Sequence, residues 1–157
     1  MRIRILQWAC TVLLAAGLSG CFGLGTSDPA IRSIDSAIHQ WAGAFVQKSA
    51  GALERVVWET VEYSGEGVND TFTASEYAAF EAGRWGGKEY QVSQVIVQEH
   101  TGLTEDSVSV TGSYFAEYRQ GGASYEMTAA IHFDLIKPGA QWLIRRIEFT
   151  DVSTRPI

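Results

Sequence analysis

Cysteine is scarce in this chain of 157 residues, which has only Cys10 and Cys21. Cys10 lies inside an apolar run near the amino terminus, and Cys21 follows that run. If processing removes the run, Cys21 is the only thiol left. With the sulfur of Cys21 chemically blocked, the mature chain would have no disulfide, no thiol nucleophile and no zinc site built on thiolates.

Other common signatures of chemistry are also missing. The sequence has no HExxH pair, no Gly-x-Ser-x-Gly elbow, no P-loop and no dinucleotide-binding glycine pattern. We therefore expect no metal and no cofactor. The net charge is -6, and the Lys and Arg residues form no basic patch. This distribution argues against nucleic acid as a partner.

A single long apolar run, residues 5–18, stands at the amino terminus. It is shorter than the ~20 residues of a stable membrane span. Arg2 and Arg4 precede it, and the small residues Ser19 and Gly20 follow it. A cationic end, an apolar core and small residues are typical of a secretory signal peptide.

The end of this signal resembles the bacterial lipobox, with Leu18, Ser19, Gly20 and Cys21 in the required order. The resemblance implies a diacylglyceryl thioether on Cys21, cleavage after Gly20, and often N-acylation of the new terminus. Phe22 stands where proteobacterial lipoproteins of the inner membrane tend to have aspartate, which favours the outer membrane. The alternative is an ordinary secreted protein with a chance cysteine.

These features predict three segments. Residues 1–20 are the signal peptide, residues 21–28 are a lipidated, glycine-rich tether, and residues 29–157 are a single domain of sufficient size for one core. The protein is expected in the bacterial cell envelope, attached to a membrane through the lipid on Cys21.

The first half of the domain predicts helices. A first helix has Ser27 or Asp28 as its N-cap and Pro29 at its first position. Its apolar stripe recurs at steps of three and four, in Ile31, Ile34, Ile38, Trp41 and Phe45. A short helix at 52–57, a strand at 58–63, a loop at 64–70 and a helix capped by Thr73 or Ser75 follow.

The second half has a period of two and predicts four antiparallel strands in a meander. Their ranges are 89–99, 107–119, 123–136 and 141–150. The alternation changes parity at Ser93-Gln94 and again at Arg145-Arg146. Such a change indicates a β-bulge, and bulges bend a sheet around the helices that it packs against.

This order resembles the nuclear-transport-factor-2-like (NTF2-like, or cystatin-like cone) superfamily over residues 28–150. The motifs are Trp41-x-x-x-Phe45 and a last strand of the form Gln-Trp-Leu-Ile ending in Ile-Glu-Phe. The resemblance implies an α+β fold with N-terminal helices packed in a strongly curved antiparallel sheet. A helix-and-sheet domain of another topology is the alternative. The superfamily includes isomerases, cyclases, dehydratases and domains without chemistry, so the fold leaves function open.

Histidines supply the candidate catalytic groups. His132 and Asp134 are two apart on a strand and share a side, so they are candidates for a base and its orienting carboxylate. An ordinary solvated pair is the alternative. Asp35 and His39, four apart on the first helix, can pair at the surface. His100, at the end of a strand, is expected to be a surface residue.

Three further residues are candidates for ligand or partner contact. Trp85 stands in a predicted loop, where an indole either contacts a partner or anchors the loop on the core. Arg145 and Arg146 either form a charged rim at the cone opening or a solvated strand edge that discourages aggregation.

Three functions fit these observations. The first is a membrane-anchored binding domain without enzymatic activity, for a small apolar ligand or for a protein partner, including a second copy through the sheet. The second is a small cofactor-free isomerase, dehydratase or cyclase of the SnoaL or ketosteroid-isomerase kind. A purely structural lipoprotein within a larger envelope assembly is a third. A buried carboxylate in an open apolar cavity would favour the enzyme, and a cone filled by Trp41 and Phe45 would exclude it.

Overall fold

The computed structural model describes residues 28–157, so the signal peptide, Cys21 and residues 21–27 of the tether lie outside the described residues. The elements are α1 (Pro29–Gln47), α2 (Ala50–Val56), β1 (Val57–Gly65), β2 (Val68–Thr73), α3 (Ala74–Arg84), β3 (Lys88–Thr101), β4 (Ser107–Gln120), β5 (Ala123–Ile136) and β6 (Leu143–Pro156). In this part of the chain no helix has the length and apolar character needed to cross a membrane.

The six strands form one sheet in the order β2-β1-β6-β5-β4-β3. β3 to β6 are consecutive antiparallel neighbours, which confirms the predicted meander. β1 pairs in parallel with β6 and antiparallel with β2. The helices cover one face, here called the inner face, and the other is called the outer face. The predicted α+β fold class is confirmed.

Local capping sets the starts of α1 and α3. The carboxylate of Asp28 accepts a hydrogen bond from the backbone N–H of Ala30 at 2.8 Å, as expected for an N-cap. Thr73 caps α3, and its hydroxyl accepts from the N–H of Glu76 at 3.3 Å while the Glu76 carboxylate accepts from the N–H of Thr73 at 2.8 Å. This reciprocal capping box decides between Thr73 and Ser75.

The predicted loop at 64–70 is wrong, because a β-hairpin occupies these residues. β1 continues to Gly65, and Glu66 and Gly67 make the turn with φ of 51° and 83°. Two positive φ values match the twist of adjoining strands in a two-residue turn. The strand β2 was missed because Asn and Asp, which are depleted in strands, dominate its start.

Four bulges bend the sheet, two in β3 and two in β6. In β6, Arg145 is one extra residue, because Asp134 pairs with Arg146 and Leu135 with Ile144. This confirms the predicted parity change in the last strand. The bulges of β3 lie at Gln91, two residues before the predicted position, and at Gln98.

The bulge at Gln91 differs from the predicted position because the side chain of Val92 misled the sequence-based alternation. Val92 pairs with Glu117 and faces the outer side, although its apolar side chain indicated the inner side. A further bulge near Asp151, which has a φ of 53°, lets β6 continue past the predicted end at Thr150. Residues 150–156 are exposed and mostly polar, with Val152 and Pro156 as the exceptions, so no apolar alternation revealed this extension.

The inner surface of the sheet contributes one side of the core. Alternate residues of β4 and β5, from Val108 to Tyr118 and from Met127 to Leu135, are buried against the helices. The apolar stripe of α1 supplies the other side, with Ile34, Ile38 and Trp41 fully buried. The predicted core faces are thereby confirmed.

Candidate functional site: a buried acid in the aromatic cone

Aromatic rings fill the interior of the cone around Trp41. The Trp41 ring centroid lies 5.0 Å from that of Phe45, 5.2 Å from Phe133 and 5.9 Å from Tyr114, all in edge-to-face arrangements. Phe149 adds a tilted contact at 6.1 Å. Such pairs bury large apolar areas and fix the relative orientation of the rings.

Glu81 of α3 is the only charged residue among the buried side chains of residues 28–157, with an exposure of 2%. It stands four residues after Tyr77, so both side chains project from the same face of the helix. Burial raises the pKa of Glu81 to about 8, although the hydrogen bond from Tyr77 and the charge of Lys88 act in the opposite direction. At neutral pH the carboxyl group is therefore mostly protonated.

A chain of polar groups leads from the centre of the core to Glu81. The indole N–H of Trp41 donates to the hydroxyl oxygen of Tyr77 at 2.8 Å. The Tyr77 hydroxyl is in turn a hydrogen-bond partner of Glu81. Burial raises the pKa of Tyr77, so the phenol keeps its proton. The Tyr77 hydroxyl thus provides a hydrogen-bond partner both for the buried indole N–H of Trp41 and for the buried carboxyl group of Glu81.

Two cations stand at the rim of this site. Nη1 of Arg84 lies 3.7 Å from Oε1 of Glu81 and donates to the hydroxyl of Tyr63 at 2.6 Å, and Arg84 also pairs with Glu66. Burial lowers the pKa of Lys88, and the nearby Arg84 acts in the same direction. Arg84 is thus shared among Glu66, Tyr63 and Glu81, and its contact with Glu81 is the longest of the three.

The cavity beside Glu81 measures only about 10 Å³. Phe45, Tyr90, Tyr114 and Phe149 are among the residues that close it. A volume of roughly 10–15 Å³ is needed for a single water molecule. The arrangement therefore holds a protonated acid ready to donate or accept a proton, but no space for a substrate next to it.

His132 and Asp134 lie together on the outer face, as their spacing predicts. Nε2 of His132 is 3.0 Å from Oδ1 of Asp134, and the Ser109 hydroxyl donates to the same oxygen at 2.6 Å. Nη1 of Arg146 lies 3.4 Å from Oδ2, and Nε of Arg146 donates to Glu62 at 2.8 Å. These groups form a polar row across β1, β6, β5 and β4.

Burial alone would raise the pKa of Asp134, but the hydrogen bonds from Ser109 and His132 and the positive charge of Arg146 outweigh it and lower the pKa. Asp134 is therefore ionised at neutral pH. Its Oδ1 contacts both His132 and Ser109, so the row lacks the sequence of nucleophile, base and orienting acid seen in catalytic triads. The catalytic roles of His132 and Asp134 stay predictions.

The structure places the remaining candidates as follows. Trp85 is not in an exposed loop, because it caps α3 and is buried with its ring centroid 5.8 Å from that of Phe45. Arg145 is exposed at the bulge of β6, on the sheet rather than at the aromatic cone. No group of three or more residues suited to holding a metal ion occurs within residues 28–157.

The proposed surface pair on α1 has a different partner. Asp35 contacts His100 of β3, with Nε2 of His100 2.8 Å from Oδ1, and His39 is exposed. The pairing of Asp35 with His39 is therefore wrong. Helical spacing permits that pair, but the end of β3 packs against α1 and brings His100 closer. His100 is consequently part-buried, not the surface residue expected.

Comparison with solved structures identifies the architecture. A ketosteroid isomerase-like protein from Erwinia carotovora atroseptica aligns over 83% of this chain and 98% of its own, with a TM-score of 0.67 and 15% identity. The Kfla4162 protein of Kribbella flavida aligns over 80% and 92%, with a TM-score of 0.68 and 14% identity. The chain has the NTF2-like cone fold.

A third NTF2-like neighbour is an enzyme. The hexachlorocyclohexane dehydrochlorinase of Novosphingobium barchaimii aligns over 82% of this chain and 90% of its own, with a TM-score of 0.67 and 14% identity. At such identities the likeness shows the fold alone. No protein-family model and no curated protein sequence matches the chain.

Sequence reasoning missed Glu81. The residue lies in a short helix, two positions from the exposed residues Ala79 and Gly83, and an acidic side chain is usually solvated. Its spacing of four from Tyr77 and three from Ala78 is the one available signal, because these two residues lie on the buried face of α3.

Proposed function

We propose that this protein is a lipid-anchored protein of the bacterial cell envelope whose NTF2-like domain binds a partner or small ligand and does not catalyse a reaction. The observation that carries the proposal is the filled cone. Trp41 and its neighbouring rings leave about 10 Å³ beside the one buried acid.

Catalysis requires a substrate atom within hydrogen-bond reach of the acid or base. A reacting molecule must also be held in a productive geometry, which demands a shaped space next to that group. Small-molecule sites generally measure ≈300–1,000 Å³. The space beside Glu81 is far smaller than this range, so binding is assigned to the outside of the cone.

The outer surface offers such space. A depression of about 500 Å³ on the outer face includes Ile96, whose side chain is 59% exposed, together with Phe115 and Ala130. An exposed apolar patch on a sheet favours contact with another protein. A second copy of this chain or an envelope protein is the proposed occupant of that face.

The proposed cellular location rests on the lipobox. Two or three acyl chains on Cys21 would hold the domain firmly at a membrane, since each buried methylene contributes ~0.8 kcal/mol. The outer membrane is the proposed location, and the tether would present the domain on the surface of that membrane.

Expression of the full chain and of Cys21→Ser in a bacterial host tests the anchor. The wild type is expected in the membrane fraction, cleaved before Cys21 and heavier by its acyl groups. The variant is expected to be uncleaved or soluble. Unchanged membrane attachment and mass in Cys21→Ser would contradict the proposal.

Diffraction from crystals of the mature protein under xenon tests the filled cone. No xenon site is expected next to Glu81, because the surrounding rings leave no void of that size. Xenon, or a trapped small molecule, in a substrate-sized space beside Glu81 would contradict the non-catalytic assignment.

A second candidate function rests on Glu81 itself. A buried acid with a pKa raised to about 8 is suited to proton transfer near neutral pH. If the rings open in solution, the protein would exchange the acidic C–H protons of an apolar ketone with deuterated water. That exchange would be lost in Glu81→Gln, and its absence in the wild type leaves the first proposal standing.

A further inference from the structure

A groove of about 460 Å³ lies outside the cone, between α1, α2 and the turn that joins β5 to β6. Its apolar surface comes from Ala37, Val56 and Trp142, which are all buried in the domain. The volume falls in the range of small-molecule sites. The groove is separate from both Glu81 and the polar row on the outer face.

The only charged side chain among the described residues that line the groove is a cation. Arg55 stands at its edge, and within residues 28–157 its guanidinium makes no ion pair. Ser33 and Ser36 of α1 contribute hydroxyl groups. None of the described residues that line the groove is acidic.

Trp142 provides a second, independent observation. It is 5% exposed, and its indole Nε1–H has no hydrogen-bond acceptor among the described residues. Buried indole N–H groups usually have a partner, and an unsatisfied one calls for an explanation. Trp142 lines a groove that also presents an arginine without an ion pair among the described residues, so an anionic ligand would offer acceptors to both.

We propose that this groove binds a small amphipathic carboxylate, with its apolar body on Ala37 and Val56 and its carboxylate held by Arg55 and the indole N–H of Trp142. Arginine matches the planar, two-oxygen geometry of a carboxylate. Since Nε1 of Trp142 is buried, contact with the ligand requires the indole N–H to become accessible from the groove. This inference deepens the proposed binding function and rests on it.

Titration of the mature protein with phenylacetate, followed by NMR of the indole N–H groups, tests the proposal. The Trp142 resonance is expected to move downfield and to saturate in the millimolar range. The neutral analogue phenylacetamide is expected to bind at least about tenfold more weakly, because hydrogen bonds to charged groups are the stronger ones. Trp85, whose indole N–H also lacks an acceptor, serves as the internal control and should not move.

Matched variants assign the contacts. Arg55→Gln is expected to weaken phenylacetate binding by at least about tenfold, whereas Arg145→Gln, the same charge change at the exposed bulge of β6, should leave it unchanged. Trp142→Phe should also weaken binding, and Trp85→Phe should not. If Trp142→Phe does not fold, the indole shift and the arginine pair decide the question.

The proposal is overturned by the absence of a saturable Trp142 shift, by equal binding of the amide, or by an equal effect of Arg55→Gln and Arg145→Gln. Each of these results leaves anchoring through Cys21 and partner binding at the outer face untouched. Failure of the lipidation test, or a substrate-sized space beside Glu81, would instead contradict the proposed function without altering this titration.

Discussion

Glu81 and Asp134 are carboxyl groups on opposite sides of the same sheet, and their surroundings move their pKa values in opposite directions. Glu81, on the helix that packs on the inner face, has a pKa raised to about 8 by burial. Asp134, on the outer face, has a lowered pKa because Ser109, His132 and Arg146 stabilise its charge. One group is mostly neutral at pH 7, and the other is ionised.

The difference shows that partners decide the charge state as much as burial does. The side chain of Asp134 is 16% exposed and that of Glu81 is 3% exposed, so both have lost most of their hydration. Asp134 gains two hydrogen bonds and a nearby guanidinium in return. Arg84, the cation nearest Glu81, is instead held by Glu66 and Tyr63.

The largest effect is expected from Trp41→Ala. This change would leave a cavity on the inner face and so remove the packing that distinguishes the surroundings of Glu81 from those of Asp134. Removing a fully buried indole costs roughly 3–5 kcal/mol in the free energy of unfolding. It also removes the indole N–H that donates a hydrogen bond to the Tyr77 hydroxyl. Chemical denaturation measures this loss, and a change below about 1 kcal/mol would mean that the cone is not packed around Trp41.

Glu81→Gln is expected to change the pH dependence of stability. The folded pKa of about 8 exceeds the ordinary glutamate pKa of 4.5, so the folded state binds more protons than the unfolded state between these values. Stability therefore falls as pH rises from about 4.5 to 8, by up to about 1.4 kcal/mol per pH unit. The glutamine variant should lack this contribution and be more stable than the wild type at pH 8.

Denaturation curves at pH 5, 6.5 and 8 (about 1.5 units apart, within the window where the proton counts differ) check this expectation. Glu54→Gln, a change at an exposed position of α2, is the matched control and should keep the slope of the wild type. Identical slopes in Glu81→Gln and the wild type would show that Glu81 is ionised in the fold.

Asp134→Asn should give a smaller effect with the opposite pH dependence. The lowered pKa means that the ionised carboxylate stabilises the fold above the ordinary pKa of 3.8. That contribution disappears as pH falls through the folded pKa. At pH 7 the variant should lose about 1–2 kcal/mol, and the difference should vanish in acid. A loss that persists unchanged in acid would assign it to packing rather than charge.

Much of the fold was predictable, because its signals are local. Each of three local patterns indicates one element directly. Pro29 after a capping residue marks the start of α1, the three- and four-residue steps mark its helical course, and the apolar alternation marks β4 and β5. The bulge at Arg145 was predictable for the same reason, since the parity change is visible in the sequence. β2 and the end of β6 were not, because polar, exposed strands carry no such alternation.

The candidate site was harder to predict, because it depends on contacts between distant residues. The proximity of His132 and Asp134 follows from a spacing of two on a strand. Glu81 becomes unusual only when Phe45 of α1 and Tyr114 of β4 close over it. Asp35 shows the same limit, since its partner His100 is 65 positions away.

Titration of the mature protein with ¹³C-labelled side-chain carboxyl groups, followed by NMR, tests the contrast between the two faces most directly. The account predicts that the Glu81 carboxyl carbon titrates near pH 8, while that of Asp134 titrates below its ordinary value of 3.8. A Glu81 midpoint near 4.5, the ordinary pKa of a glutamate, would mean that water reaches the acid and that the cone is open, which would contradict the account.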